Sequence, residues 1–121
     1  MTDRQLRILT VSAHPHDFTW FSATLGIHVE RGDEATACVV THGGSTHREE
    51  WMAELRKPES ERDVLIVNAS ADKYIHQKED ELRQAAAIFG VTDIRMLNFP
   101  DKPLLISEHP DVIDRIAAVI L

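Results

Sequence analysis

Two histidines and an aspartate fall within five residues, Ala13-His14-Pro15-His16-Asp17. Imidazole nitrogens and a carboxylate oxygen are a donor set that suits Zn2+. His14 and Asp17 stand three apart, so a tight turn lets both side chains point into one crevice. The same spacing also serves a plainer purpose, a helix-capping turn in which Asp17 accepts a backbone N–H and His14 is a loop residue. A lone His-x-x-Asp recurs by chance in many chains, so its weight depends on the elements around it.

Those elements place the turn well. Arg7–Ser12 (RILTVS) is a β-branched run stopped by Pro15, which reads as a buried strand. Over 17–30 apolar residues recur at Phe18, Phe21, Leu25 and Val29, and Gly32 follows, so the spacing predicts a helix. Residues 35–41 (ATACVVT) form a second continuous apolar run that leads into Gly43-Gly44. Strand, helix, strand is a βαβ unit, and in open α/β sheets ligands bind at the carboxyl ends of the strands. The AHPHD turn sits there, beside a helix N-terminus that favours an anion or a developing oxyanion.

Further along, 46–57 is expected to be helical up to Pro58, with Trp51, Met52 and Leu55 on one face. The short run Val64–Val67 reads equally as a strand or a buried helical turn. Residues 71–89 are the clearest helix, with Tyr74, Lys78, Leu82, Ala85 and Phe89 in helical spacing and Gly90 at the end. A strand over 93–98 and a loop over 99–103 follow. His109-Pro110 opens a last helix that presents Ile113, Ile116, Ala117 and Ile120 on one face. The chain stops at Leu121 in the middle of that face, where an alternating β/α pattern calls for another strand. The expectation is one α/β domain over 1–121 that forms the N-terminal part of something longer.

Composition narrows the classes. The chain has 121 residues, 43% apolar and 27% charged, which describes a single folded domain and excludes disordered or fibrous chains. Its formal charge of −7 argues against nucleic acid or an acidic membrane as partner. No run approaches the roughly 18 apolar residues of a membrane span, and MTDRQLR lacks the apolar stretch of a secretory signal, so a cytoplasmic protein is expected. The single cysteine, Cys38, lies within an apolar run and reads as a buried hydrophobe without redox chemistry. An apolar last helix lacking a covering strand leaves room for a homo-oligomer.

AHPHD after a first strand resembles the AHPDD(E) motif of the LmbE/PIG-L family of zinc-dependent de-N-acetylases. Two further segments fall in the family's order. Val39-Val40-Thr41-His42-Gly43-Gly44 is similar to its second strand and glycine loop, and 89–91 through Leu97-Asn98-Phe99-Pro100-Asp101 to its "lgv…LgfpD" segment. The resemblance implies a Rossmann-like three-layer fold with a mostly parallel sheet. It implies that His14 and Asp17 ligate zinc, and that a small acetylated amino sugar is the substrate.

The chain departs from the family at His16, which stands where the first motif Asp, the expected general base, belongs. A neutral imidazole can take that role near neutral pH; His16 can equally be a ligand, or mark a chain that has lost hydrolysis. Phe18 replaces the motif's acidic residue. The family's third zinc-ligating histidine and its acid histidine lie in a later segment that 1–121 does not match. His42 and His47, on either side of the glycine loop, are therefore candidates for substrate contact or metal assistance, against a reading as solvated loop residues. Asp101 either lines the crevice or solvates a turn. His28, His76 and His109 read as structural, and Trp20 and Trp51 as core or interface anchors. The expected activity is zinc-dependent hydrolysis of an N-acetyl amide on an N-acetylglucosamine-type conjugate. The alternative is a catalytically inactive sugar- or metal-binding domain of the same fold. A nucleotide-binding domain is disfavoured, because no Gly-x-Gly-x-x-Gly follows the first strand.

Overall fold

The computed structural model describes residues 4–45, 47–101 and 108–121. Strand β1 (Arg7–Ser12) leads through a 3-10 turn, Pro15–Asp17, into helix α1 (Phe18–Glu30) and strand β2 (Glu34–Thr41). Helix α2 (Glu49–Leu55), a 3-10 turn at Glu59–Glu61 and the short α3 (Val64–Val67) precede the long α4 (Asp72–Ile88). Strand β3 (Asp93–Phe99) and helix α5 (Asp111–Ile120) complete the described chain. The strands lie in the order β1-β2-β3 and every pairing is parallel.

Central β2 explains why its sequence is continuously apolar. Alternate residues face opposite sides of the sheet, and here both sides are covered. On one side Ala37 and Val39 pack with Phe18 and Leu25 of α1 and Leu82 and Ala86 of α4. On the other, Cys38 and Val40 pack with Leu97, Phe99 and Val112 of α5. The result is the expected Rossmann-like α/β layering. Cys38 is fully buried, and burial pushes its thiol pKa up, which suppresses the reactive thiolate.

Asp33 fastens the first crossover. Gly32 ends α1 at φ 93°, and Asp33 then accepts the Leu6 amide through Oδ1 at 2.8 Å and meets His28 Nδ1 through Oδ2 at 2.8 Å. His28 is thereby a structural partner on the inner side of the helix end. At the other end of the sheet, Asn98 adopts φ 59° where the β2–β3 register shifts between Val39 and Thr41, a bulge that turns the end of β3.

Several expected boundaries move, each for a local reason. The helix predicted over 46–57 begins at Glu49, because His47 takes φ 56° and Arg48 is non-helical; Thr46 lies outside the described residues. It ends at Leu55, ahead of Pro58. Val64–Val67 is a helical turn whose N-cap, Asp63, accepts the Leu65 amide at 2.9 Å. In α4 the stripe from Tyr74 through Lys78 to Leu82 continues into Ala86, and Ala85 is exposed. Phe89, half-exposed, sets its ring edge against Phe18, with centroids 6.2 Å apart. Trp20 is 82% exposed and is no core residue; Phe18 and Leu25 fill that role on α1. Of the loop expected over 99–103, residues 102 and 103 lie outside the described residues. No helix among the described residues is long and apolar enough to cross a membrane.

Candidate active site

The exit of β1 is fixed first. Thr41 donates to the Ala13 carbonyl twice, from its backbone N–H at 2.9 Å and from its hydroxyl at 2.7 Å. His14 continues the extended backbone at φ −130°, ψ 156°, and buried Pro15 opens the 3-10 turn with its ring-fixed φ. The turn closes on itself. Asp17 N–H donates to the His14 carbonyl at 3.1 Å, and His14 N–H donates to Asp17 Oδ2 at 2.9 Å. The carboxylate thus points back over the turn, and it makes no capping bond to α1.

This closure gathers three donors. His14 Nδ1 lies 3.8 Å from Asp17 Oδ2, and His16 Nε2 lies 3.3 Å from Asp17 Oδ1. The two imidazoles stack with centroids 5.4 Å apart and 9° between their planes. One ligand atom from each of His14, His16 and Asp17 can be chosen so that all lie within 4.8 Å of one another. Zinc bonds of about 2.0–2.2 Å bring a ligand pair to within about 4.4 Å, so modest side-chain rotation suits this set to the ion. Two imidazoles and a carboxylate also match the chemistry that catalytic zinc sites use.

Electrostatics favour a neutral His16. Partial burial lowers its pKa from the usual 6.5; the Asp17 carboxylate opposes that shift, and His47, His14 and Lys78 reinforce it. A neutral ring keeps a lone pair for a metal or for a proton.

The glycine loop forms the second wall. Gly43 has φ 71°, and a Cβ there would meet Pro15 Cδ at 3.0 Å, so the close approach of loop to turn requires glycine. His42 turns into its own loop. Its N–H donates to the Phe99 carbonyl at 3.0 Å and its Nδ1 accepts the Gly44 amide at 2.9 Å. Asp101 braces the same loop from the end of β3, accepting the Ser45 amide at 3.0 and 3.2 Å. His47 instead presents its ring edge-on to His16, with centroids 4.7 Å apart.

Of the six expected site residues, then, His14, His16 and Asp17 converge, His47 abuts them, and His42 and Asp101 hold the wall. Two pocket residues were not anticipated as such. A 220 Å3 pocket beside His16 is lined by Pro15, Gly43, His47, Tyr74 and Lys78. Lys78 Nζ sits 5.3 Å from the Tyr74 ring centroid and donates to Glu81 at 2.9 Å, the bond that chiefly raises its pKa. The available signal was a cation within the inward stripe of α4. His109 packs its ring against Phe99 at 5.8 Å, and His76 is exposed on α4. A larger groove of 530 Å3 lies at the amino ends of the strands, among Arg7, Asp33 and Asp93. Its acids Asp33, Glu34 and Asp93 are taken up by Leu6, by Arg7, and by Thr36 and Arg95, and it opens at the end of the sheet opposite the AHPHD turn.

Comparison with known proteins agrees with this architecture. The chain is similar over 95% of its length to 4-carboxy-2-hydroxymuconate hydratase, GalB, from Pseudomonas putida KT2440, at 23% identity and a TM-score of 0.71. Over 86% it is similar to N,N'-diacetylchitobiose deacetylase from Pyrococcus horikoshii, at 20% identity and a TM-score of 0.64. The matched parts are 42% and 33% of those two chains, so this chain spans less than half the length of either. No curated protein matches it. The model of PIG-L, GlcNAc-PI de-N-acetylase, matches residues 9–121, which contain the turn, the glycine loop and all three strands but for the first two residues of β1. The chain belongs to the PIG-L family.

Proposed function

We propose that the AHPHD turn is the metal-holding and water-activating part of a zinc-dependent amide hydrolase that removes an N-acetyl group from a small N-acetylglucosamine-type conjugate. The observation that carries this reading is the convergence of His14, His16 and Asp17 at the carboxyl end of β1, in a chain of the PIG-L family. Shared fold alone does not choose the reaction, since a hydratase and a deacetylase both adopt it.

His14 and Asp17 would hold the zinc. Bound there, zinc polarises an amide carbonyl and acidifies water. His16, neutral, with Nε2 facing Asp17 at 3.3 Å, accepts the proton of the attacking water on its other ring nitrogen; Asp17 stabilises the resulting imidazolium, which returns the proton to the amine nitrogen as the C–N bond breaks and acetate leaves. Partial burial is the main cause that lowers the pKa of this ring, and Lys78, on the wall of the same pocket, adds the least of the contributions in that direction. The N-terminus of α1 adds partial positive charge where an oxyanion develops. His47, edge-on to His16, restricts that ring and borders the substrate volume.

Acetate release from methyl N-acetyl-β-glucosaminide tests the reading. Metal-stripped protein should release none, zinc should restore release, and His14→Ala, Asp17→Ala should abolish it. Sugar binding without turnover, unchanged by Asp17→Ala and without zinc in either protein, would instead indicate a non-catalytic binding domain.

A further inference from the structure

Helix α1 is apolar on more sides than the sheet covers. Phe18, Phe21, Leu25 and Val29 face the core, while Trp20, Ala23, Thr24 and Ile27 run along the opposite side at helical spacing, all four exposed. Glu30 is the one formally charged residue among its thirteen. A helix that is apolar all round belongs to a buried site, yet Trp20 is 82% and Ile27 58% exposed. Helix α4 changes character where it runs beside α1. Its charges all lie between Asp72 and Arg83, and Gln84-Ala85-Ala86-Ala87-Ile88-Phe89 carries none. Ile88 is 82% exposed.

Between the two helices lies a groove of 560 Å3 with Ala23, Gly26, Ile27, Ile88 and Phe89 in its lining. A Cβ on Gly26 would meet Phe89 Cδ1 at 3.0 Å, so this glycine seats the phenyl ring directly on the backbone of α1. Trp20 projects from the same face of α1, one turn before the groove. Its exposed ring offers roughly 200 Å2, and Ile27, Ile88 and Phe89 add on the order of 300 Å2. That sum already reaches the largest apolar patch usual on a monomer, about 300–600 Å2. With Ala23, Thr24 and Ala87 and a polar rim, the face approaches the approximately 800 Å2 that each partner contributes to a stable interface.

We propose that two copies of this chain pair through this face, with α1 crossing the partner's α1 antiparallel. A two-fold contact must be self-complementary, and this one face carries both a protrusion, Trp20, and a recess, the groove. With the axis between Ala23 and Thr24, Trp20 lies over the partner's Ile27 and the groove beside it, and the reverse contact forms at the same time. Ala23 and Thr24, at the crossing point, are small enough to let the two backbones approach. The apolar stripes of α1 and the end of α4 hold no charge while each copy carries −7, so the pairing is apolar and strengthens as salt screens the copies from each other. Ile113 and Ile120 of α5 are exposed as well, but Asp114 and Arg115 stand exposed between them and keep that face solvated.

Sedimentation equilibrium of the full chain at pH 7.5, from about 1 to 100 μM, tests the pairing. A monomer–dimer equilibrium is expected, and its Kd should fall as salt rises from about 0.05 to 0.5 M. Ile27→Asp places two carboxylates in each dimer interface and should raise Kd at least about a hundredfold, while Ile120→Asp on α5 should leave it unchanged. Both residues are exposed in the single chain, and circular dichroism checks that each variant folds. Cross-linking gives an independent reading. Ala23→Cys, beside the axis, should form a disulfide-linked dimer under mild oxidation faster than Ile113→Cys, and Cys38, fully buried, takes no part. A chain that stays monomeric at the highest concentration would overturn the proposal. So would a dimer that Ile27→Asp leaves intact, or cross-linking through Ile113→Cys as fast as through Ala23→Cys, since either moves the contact to another face.

Discussion

A neutral imidazole accepts a proton and returns it near neutral pH, and His16 offers Nε2 3.3 Å from the Asp17 carboxylate that would stabilise the charged ring. If His16 is the base, His16→Ala should retain zinc yet lower kcat by about 100- to 10,000-fold, whereas His14→Ala should lose the metal itself. Metal analysis beside acetate-release kinetics distinguishes these outcomes, and loss of zinc in His16→Ala would make His16 a ligand. Gly43 is the second decisive residue. Alanine there must hold φ 71° and meet Pro15 Cδ at 3.0 Å. The left-handed backbone alone costs roughly 1–2 kcal/mol, so urea unfolding of Gly43→Ala should show at least that loss.

At the scale of elements, Asp33 ties the start of β1 to the end of α1. The Leu6 amide, and then the His28 ring, hold its pKa below the usual 3.8. A depressed carboxylate stabilises the fold fully above pH 3.8 and loses that contribution as pH falls through its lowered native value. Asp33→Asn should therefore melt below wild type at pH 7, and the gap in Tm should narrow below about pH 4; a pH-independent gap would mean that the charge contributes nothing. Periodicity revealed the strands, α1 and α4, because each buries one stripe or both faces and the sequence must comply. It could not reveal where α2 begins, since that depends on the positive φ of His47, which apolar spacing does not encode. The turn was legible in its residue types once the strand pattern before it and the helix pattern after it placed it at the carboxyl end of β1. What escaped was the inward reach of Tyr74 and Lys78, because a stripe at helical spacing looks the same whether it ends in core or in a pocket. His42 and Asp101 mark the same limit: sequence puts them at the crevice, and hydrogen bonding shows them holding its wall.

Across the whole molecule, a sheet covered on both faces holds the carboxyl ends of its strands as a fixed rim, and turn, glycine loop and α4 meet there. Leu25, fully buried between α1 and the sheet, is a keystone of that arrangement. Leu25→Ala should cost about 2–5 kcal/mol, read from denaturant midpoints. The acidic balance of −7 disfavours a polyanion as partner. The most direct test of the account is a calorimetric zinc titration of the metal-stripped chain at pH 7.5, with the His14→Ala, Asp17→Ala double variant beside it. The account predicts one zinc per wild-type chain and none in the variant. A folded wild-type chain that takes up no zinc, or a variant that binds it equally well, would contradict the assignment of the AHPHD turn as the metal site.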